Sequence, residues 1–522
     1  MKNIAFKTYK EENGGRVLLL FLLFLLAIYE FIHAGYNSFV IVCISPVFII
    51  AVYALFKWKM AAFWALIVVN FILQFKANPF PLPSGVPMSL WDEAFELILI
   101  AIAIIDASQE SRFGRCVNLM LLAILIWTGL CALELLNDTC NMGMDVAAWF
   151  TSFRLYALHL IWIILVFSIY ISSPERLIQY LKVWALLSLF SAFWTWKQKN
   201  MGFTPKEYAF IYYGAGRSTH LLNGGSLIRY FSTFSDAATY GCYAASTGVA
   251  LIIWGITSKI KWNRIFFLII GACVIWGMFQ SGTRTAIFSL AAGFLLFIVL
   301  SKSFKIAIPF GIIFALFMSI LMFTTIGNGN QQIRRMRTAF DKKDASANTR
   351  EINKEAIRKY LQDAPWGLGI ASTQANIPAN NKYRKLSDIP PDSEYVYMWV
   401  HTGVIGICVF LFCMVLMLAG ACLVVMFKLK SPSLIGIGGG LCAAFAAIQL
   451  GAYANQILFQ YPNGLTFFGG LAIVYILPYL EPQWIEYENK LLALQEEKRR
   501  QRLEKIEKMR VKPWYSWIYK YL

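Results

Sequence analysis

The sequence PDSEYVYMWVHTGVIGI (residues 391–407) marks the point at which a long polar stretch gives way to apolar sequence. That polar stretch, residues 327–392, is the one long interruption in a chain that otherwise consists almost entirely of apolar runs. Because the runs on both sides are long enough to cross a bilayer, the pattern predicts a long loop held at one face of a membrane. Among the arginines of this loop are Arg334, Arg335, Arg337, Arg350 and Arg358.

Composition indicates a membrane protein. Of the 522 residues, 58% are hydrophobic and only 15% are charged, whereas a soluble protein carries about 25% charged residues. The net charge of +18 is explained by basic loops on the cytoplasmic side, which makes nucleic-acid binding a poor interpretation. The ten cysteines lie mostly in apolar runs without metal-type spacing, so we expect buried thiols and no disulfide framework.

The predicted fold class is an all-α polytopic membrane protein with about 12–14 transmembrane helices. We divide it into transmembrane helices in residues 1–326, the long loop in 327–393, further transmembrane helices in 394–481 and a basic, aromatic, amphipathic tail in 482–522. The predicted spans are 16–34, 37–56, 60–75, 88–106, 116–135, 150–172, 178–196, 236–256, 264–281, 284–300, 306–326, 394–427, 433–455 and 464–481.

The connections between these spans predict the orientation, since cytoplasmic loops collect Lys and Arg. With the basic N-terminus inside, every inside connection is basic, whereas the outside connections 77–87 and 137–145 are nearly free of basic residues. This pattern places both termini in the cytoplasm. It places residues 197–235, the turn at 281–285 and the long loop together on the outer face.

Arginines at the outer ends of helices are the first candidates for binding an anion. Arg284 and Arg229 lie where the topology does not call for positive charge, and an arginine at such a position usually has an anionic partner. Anchoring at lipid headgroups is the alternative for Arg284, and an ion pair with Asp236 is the alternative for Arg229. The further candidates are Arg350, Arg217 and Arg154.

The loop also offers carboxylates for proton transfer. Asp392 and Glu394 stand just before the apolar run, where either can be a general base or only a partner for arginines. His401 and His220 are weaker candidates for the base. The sequence that opens at Arg350 predicts an amphipathic helix capped by Asn348 or Thr349, with an apolar stripe of Ile352, Ala356, Ile357 and Leu361.

Arginines that converge on one face favour a phosphate-rich ligand, because guanidinium groups bind phosphate bidentately and stay charged. The same donors stabilise a diphosphate as it leaves, while a nearby carboxylate takes the proton of an incoming hydroxyl group. The sequence shows no catalytic triad, no metal-ligand constellation and no phosphate-binding glycine loop. We therefore expect chemistry without a metal and without a cofactor.

Three stretches resemble the bacterial O-antigen ligase and polymerase superfamily. IRYFSTFSDAATYGCYAA (228–245) is similar to the family's Arg-Phe-acidic-Pro-Asn stretch, with Asp236 kept and alanines at the Pro and Asn positions. SGTRTAIFSLAAGFLLF (281–297) is similar to its Ser-Arg helix start, with Arg284 as the arginine. TREINKEAIRKYLQDAPWGLGI (349–370) and the stretch 391–407 are similar to its long loop and the helix that follows.

This resemblance implies a glycosyltransferase of the GT-C type in the bacterial inner membrane, with a periplasmic site. The donor would be an undecaprenyl-diphosphate-linked oligosaccharide, the acceptor a lipid-linked glycan or a lipid A core, and the anomeric carbon would be inverted. Taken together with the positions of the arginines, the predicted site residues are Asp392 and Glu394 for catalysis, Arg229, Arg284, Arg350, Arg217 and Arg154 for the diphosphate, and Asp236 and Tyr395 in support.

One departure from the family bears on the acceptor. Family ligases commonly carry His-Asn where this chain has Asp392 and Ser393. The change favours a repeat-unit polymerase for a surface polysaccharide over an O-antigen ligase or a protein O-oligosaccharyltransferase, although all three share the architecture.

Two readings from other classes stay open. A flippase or transporter for the same lipid-linked glycan would place its ionisable residues near the middle of the membrane. A non-catalytic scaffold would use the loop and the tail to bind other envelope-assembly proteins. The basic and aromatic tail itself suits contact with anionic membrane lipids.

Overall fold

The computed structural model describes residues 22, 24–26, 28–29, 53–54, 56–77, 88–106, 110–222, 225, 227–302, 304–326, 328–329, 331–337, 345–373 and 375–510. The chain divides into two compact units, Met1–Ala65 and Leu66–Leu522. The predicted spans 16–34 and 37–56 lie largely outside the described residues. The account below therefore concerns the second unit.

Helices make up most of the described chain. Those that precede the loop at residues 201–236 are α1 (Lys59–Ile72), α2 (Ser89–Ile105), α3 (Glu110–Phe113), α4 (Leu119–Leu133), α5 (Val146–Phe153), α6 (His159–Tyr170) and α7 (Pro174–Asn200). A π-helical turn, Arg154–Leu158, joins α5 to α6. The loop at residues 201–236 holds α8 (Pro205–Tyr212), α9 (Arg217–His220) and an antiparallel pair of short strands, β1 (Leu221–Leu222) and β2 (Leu227–Ile228).

The described elements that follow this loop are also mainly helices. The next helices are α10 (Ala237–Thr257), α11 (Lys261–Gln280), α12 (Thr285–Leu300) and α13 (Phe304–Phe323). The long loop holds α14 (Gln331–Arg337) and α15 (Ala345–Leu361). The last helices are α16 (Glu394–Leu423), which continues as a π-helical turn to Lys428, α17 (Pro432–Ala452) and α18 (Gly469–Arg510).

The all-α polytopic class is confirmed. Among the described residues, 8 helical segments are long and apolar enough to cross a membrane, and α1 and α12 are apolar but shorter. The nine cysteines in the described part of the chain are free.

Helix α10 lies at the centre of the bundle, packed against α11, α12 and α17. It is the most enclosed of the spans, with 89% of its apolar window buried. Glycines on α17 allow this close approach: a β-carbon at Gly436 would stand 2.0 Å from Thr257 Oγ1, and one at Gly440 would stand 2.5 Å from Trp254 Nε1. The bundle therefore fixes the outer ends of α10 and α12, where Asp236 and Arg284 precede the first helical residues.

Helix α16 is broken at Gly403, whose φ of +66° is not helical. The loop at residues 364–369 packs into the break. The N–H groups of Leu368 and Gly369 donate to the carbonyl oxygens of Val400 and His401, each at 2.9 Å. The break thus separates an outer segment, Glu394 to Thr402, from the longer apolar segment that follows.

The long loop has its own small core. Ile357 and Leu361 on α15 pack there with Leu386, Val400 and other apolar residues. The amphipathic helix that the sequence predicted is present, but it begins at Ala345 rather than after Asn348 or Thr349. Its predicted apolar stripe is only partly right, because Ile352 is 66% exposed.

Two hydrogen bonds tie this loop to the outer connection that follows α4. The side chain of Asn381 donates to the carbonyl oxygen of Cys140 at 2.6 Å, and that of Asn137 donates to the carbonyl oxygen of Trp366 at 2.9 Å. Both segments were predicted on the outer face, and the two hydrogen bonds place them next to each other.

The predicted span at 464–481 and the described part of the tail, up to residue 510, share one helix. α18 runs without interruption from Gly469 to Arg510, although it contains Pro478 and Pro482. These prolines lie one turn apart on a helix that packs against α17 and α6. Tertiary packing therefore overrides their usual tendency to end a helix.

Candidate functional site

Arg229 is held in place by hydrogen bonds from all three guanidinium nitrogens. Its Nε donates to the carbonyl oxygen of Ser281 at 3.2 Å, and its two terminal nitrogens donate to the carbonyl oxygen of Thr219 and to Thr283 Oγ1, each at 3.0 Å. The outer loop at residues 201–236 and the 281–285 turn therefore meet at this side chain.

The positive charges of Arg284 and Arg350 act on Arg229, the third of the main candidate arginines. Burial lowers the pKa of Arg229; the carboxylate of Asp236 acts in the opposite direction, and the positive charges of Arg284 and Arg350 add to the lowering. Arginine stays protonated in such surroundings. The result is a concentration of positive charge that a bound anion would relieve.

Arg284 and Arg350 reach this region from different elements. Arg284 directly precedes α12 and follows Gly282, whose φ is +58°. The carbonyl oxygen of Gly282 accepts a hydrogen bond of 2.8 Å from Arg335 Nε on α14. Arg350 lies half-buried on α15. The long loop thus contributes basic residues to the turn that carries Arg284.

Asp392 shares a cavity of about 230 Å³ with Arg350, Asn353, Lys354 and Tyr453. The side-chain amide of Asn353 donates to Asp392 Oδ2 at 3.4 Å. Lys354 Nζ lies 5.7 Å from the centre of the Tyr453 ring and 3.1 Å from a carboxylate oxygen of Glu351. The cavity lining therefore combines Arg350 of the positive cluster with two carboxylates, Asp392 and Glu351, of which Glu351 pairs with Lys354.

The start of α16 is fastened to the end of α17, which sets the position of Asp392. Ser393 caps the helix by accepting the N–H of Tyr395 at 3.2 Å, and its hydroxyl donates to the carbonyl oxygen of Ala452, also at 3.2 Å. The Tyr395 hydroxyl donates to the carbonyl oxygen of Gln449 at 3.0 Å. Tyr395 thus acts on the geometry of the helix start.

Glu394 faces another cavity. Its side chain is buried, with the residue 4% exposed, and Oε2 accepts the backbone N–H of Leu458 at 3.0 Å. The cavity on its side measures about 370 Å³ and is lined by Tyr156, His159 and Gln460 among others. Asp392 precedes the cap residue and Glu394 follows it, so the helix start turns the two carboxylates toward different spaces.

Asp236 caps α10. Its Oδ1 accepts the N–H groups of Ala238 and Thr239 at 2.7 and 3.0 Å, and its Oδ2 accepts the hydroxyl of Thr239 at 2.6 Å. The negative charge of this carboxylate also favours the protonated form of Arg229 and so acts to raise its pKa. It is therefore a structural residue at the edge of the arginine cluster.

Arg217 and Arg154 lie in different surroundings from the other arginines. Arg217 is exposed on the four-residue helix α9. Arg154 is 9% exposed and pairs with Glu93 at 2.5 Å. The structure brings neither into the cavity that holds Arg350 and Asp392.

Arg154 belongs to a buried ionisable cluster that sequence reasoning did not recognise. Asp92 and Glu96 on α2 are 0% exposed. His159 Nε2 lies 3.1 Å from Glu96 Oε1, and Asn70 donates to Asp92. Such residues are costly in an apolar environment. The sequence did carry a signal for this cluster, because three acidic residues, at positions 92, 93 and 96, lie in one predicted span. Residues 92 and 96 are four positions apart, which places their carboxylates on one helix face.

Two basic residues near the site were also missed. Lys354 lies one helical turn after Arg350, and that spacing could have predicted a shared face. Lys76 Nζ lies 4.5 Å from the centre of the Phe210 ring. Burial lowers the pKa of Lys76, and the charge of Asp236 opposes this. In the sequence, Lys76 is a single lysine directly before the outer connection at residues 77–87, and no pattern of neighbouring residues indicated a role for it.

The side chains of His220 and His401 form hydrogen bonds with the backbone. His220 Nδ1 lies 2.9 Å from the carbonyl oxygen of Gly216, and its Nε2 accepts the N–H of Ala237 at 3.2 Å. His401 Nδ1 lies 3.1 Å from the carbonyl oxygen of Gly369. Both rings thus support local structure. Within the described residues, no group of three or more His, Cys, Asp and Glu side chains could hold a metal ion.

Comparison with known proteins gives one positive result. Residues 272–411 match the family model described as O-Antigen ligase. The matched region includes Arg284, Arg350, Asp392 and Glu394, together with the broken helix around Gly403. Among curated proteins, none matches the chain with statistical support.

Proposed function

The chain belongs to the O-antigen ligase and polymerase superfamily through its O-antigen ligase domain at residues 272–411, and from this premise we propose that it polymerises a lipid-linked surface glycan. The family consists of glycosyltransferase-like ligases and polymerases, which supports an enzyme of this broad kind. The proposed donor is an undecaprenyl-diphosphate-linked oligosaccharide in the bacterial inner membrane. The proposed acceptor is another lipid-linked glycan on the periplasmic side.

The observation that carries the proposal is the position of Asp392. It lies in one cavity with Arg350, and Arg350 is one of the two arginines whose charges act on Arg229. A base beside a diphosphate site is what glycosyl transfer from a lipid diphosphate needs. Glu394, in contrast, is bonded to the backbone of Leu458 in a separate cavity.

In the proposed reaction, Arg229, Arg284 and Arg350 hold the diphosphate of the donor. Asp392 takes the proton of the acceptor hydroxyl as its oxygen forms a bond to the anomeric carbon. The bond from that carbon to the phosphate oxygen breaks, and the lipid diphosphate leaves with the bonding electron pair. The arginines stabilise the charge that develops on this leaving group, and a single displacement inverts the anomeric carbon.

The polymerase is favoured over a ligase by Asp392 and Ser393, which stand where family ligases commonly carry His-Asn. A ligase acting on a lipid A core and a protein O-oligosaccharyltransferase are the alternative enzymes. A transporter for the same lipid is the alternative from another class. The buried cluster of Asp92, Glu93, Glu96, Arg154 and His159 is the feature that a transporter would use.

The experiment supplies purified protein in liposomes with the native undecaprenyl-diphosphate oligosaccharide and a chelator, and resolves the products by mass. Longer lipid-linked chains with release of undecaprenyl diphosphate support the polymerase. Product only when lipid A core is added identifies a ligase, and product only with an acceptor protein identifies an oligosaccharyltransferase. Movement of donor between leaflets without any transfer would refute the enzyme and favour the transporter.

A further inference from the structure

A large groove lies at the end of the bundle opposite the arginine site, between the start of α4, the end of α16 and the first turns of α18. Its volume is about 960 Å³. Arg115 and Lys428 lie on connections that the topology predicts to be cytoplasmic, and both line this groove. The other lining residues are largely apolar. The proposed glycosyl transfer makes no use of this space.

The wall of the groove is suited to an acyl chain. Leu122 is 50% exposed and Leu423 is also 50% exposed, and both line the groove. Helix α16 approaches α4 and α18 closely at Gly420, where a β-carbon would stand 2.3 Å from Tyr475 Oη and 3.2 Å from Leu119 Cβ. The close contact of these helices therefore forms the floor of the groove, and the apolar side chains of Leu122 and Leu423 lie beside it.

The mouth of the groove is cationic. Arg115 and Lys428 are the charged residues of the lining, and among the described residues that form it none is acidic. The Arg115 guanidinium lies 5.6 Å from the centre of the Tyr479 ring. Its buried Nη1 has no hydrogen-bond partner in the described structure. A buried N–H group of this kind is costly to leave unsatisfied, so the nitrogen is available to an acceptor oxygen.

The surroundings reinforce this positive charge. Burial and the neighbouring charges of Arg176 and Arg115 lower the pKa of Arg112, with Asp106 acting in the opposite direction. Arg176 donates to Ser172 Oγ at 2.7 Å, which is a neutral partner. Arg112 and Arg176 do not line the groove, but their positive charges act on the same connection as Arg115 and favour an anion there.

From these features we propose that the groove binds one anionic phospholipid of the cytoplasmic leaflet. Its phosphate would lie between Arg115 and Lys428, and one acyl chain would run along Leu122 and Leu423. Basic pockets between transmembrane helices on the cytoplasmic side are suited to anionic headgroups. The proposal does not depend on the glycosyltransferase activity.

The test is native mass spectrometry of delipidated protein titrated with phosphatidylglycerol or with phosphatidylcholine of the same chains. The first variant carries Arg115→Gln together with Lys428→Gln. The second carries Lys428→Gln alone; Lys428 is an exposed side chain, so this change spares the folded structure. The control is Lys430→Gln, which removes an equal charge from an exposed lysine outside the groove lining.

Wild-type protein and the Lys430→Gln control should bind one phosphatidylglycerol more tightly than phosphatidylcholine. Each cation removed from the groove should weaken that binding about fivefold, with phosphatidylcholine binding unchanged. Equal affinity of wild-type protein for the two lipids would overturn the proposal. So would an unchanged phosphatidylglycerol affinity in Lys428→Gln, or a loss of equal size in Lys430→Gln.

Discussion

A β-carbon on Gly403 would stand 1.9 Å from the carbonyl oxygen of Pro365. This contact joins the loop after α15 to the break in α16, and Leu368 and Gly369 complete the junction with hydrogen bonds to Val400 and His401. Because Asp392 lies at the start of the outer segment of α16, the junction fixes the distance between Asp392 and Arg350. The geometry of the proposed site therefore depends on a glycine that contacts no substrate.

Gly403→Ala should lower both stability and transfer. The backbone there has a φ of +66° and a ψ of −168°, a region that residues with a β-carbon avoid, and the added carbon would also collide with Pro365. We expect a loss of at least about 3 kcal/mol, measured by thermal unfolding in detergent. The matched control is Gly129→Ala in α4, where nothing lies within 4 Å of the added carbon. Equal stability of the two variants would contradict the role given to the junction.

Arg350→Ala should reduce glycan transfer by about 10²- to 10³-fold, because it removes a donor to the departing diphosphate. Inhibition by added undecaprenyl diphosphate should weaken in parallel. Arg350→Lys should recover only part of the activity, since a lysine cannot bind phosphate bidentately. The control is Arg358→Ala on the exposed face of the same helix. A comparable loss in Arg358→Ala would point to the helix rather than to Arg350.

Arg154→Ala should act on stability and leave the binding of diphosphate intact. Arg154 pairs with Glu93 inside the bundle, and removing one partner of a buried pair costs about 3–5 kcal/mol. Arg154→Met combined with Glu93→Leu should be more stable than Arg154→Ala, because it removes the unpaired charge. The inhibition test is made at a temperature where Arg154→Ala is folded. If undecaprenyl diphosphate inhibits the variant more weakly than the wild-type protein, Arg154 contacts the diphosphate, as the sequence suggested.

His220 should make the protein sensitive to mild acid. Burial lowers its pKa to about 4, while its Nε2 must stay unprotonated to accept the N–H of Ala237. The charges that face it are Arg229 and Lys76, which disfavour protonation, and Asp236, which favours it. The unfolded chain takes up a proton near pH 6.5, so stability contributed by neutral His220 is present above that pH and lost as the pH falls toward 4.

The measurement for His220 is thermal unfolding at pH 7 and at pH 5. Wild-type protein should lose about 2 kcal/mol between these values through this residue. His220→Gln should be less stable at pH 7 but should lose less on acidification. An identical loss in both proteins would show that His220 does not titrate as the structure indicates.

Hydropathy alone predicted the helical membrane class, and the basic inner connections predicted that residues 197–235, the 281–285 turn and the long loop lie on one face. The break at Gly403 could not be predicted, because the apolar pattern runs unchanged across 394–427 and the cause of the break is a distant loop. The separation of Asp392 from Glu394 also needed coordinates. Their spacing of two residues allowed either to face the arginines, and the cap at Ser393 decides which one shares a cavity with Arg350.

The central claim is that Asp392 is the base, and it is tested by comparing Asp392→Asn with Glu394→Gln in glycan transfer by purified, folded protein. Removing a general base costs about 10²- to 10⁴-fold. We predict that loss in kcat for Asp392→Asn, with the KM for the donor nearly unchanged. Glu394→Gln should retain most of the turnover and show its effect in thermal stability, because the side chain serves the backbone of Leu458. Full turnover in Asp392→Asn together with lost turnover in Glu394→Gln would contradict the account.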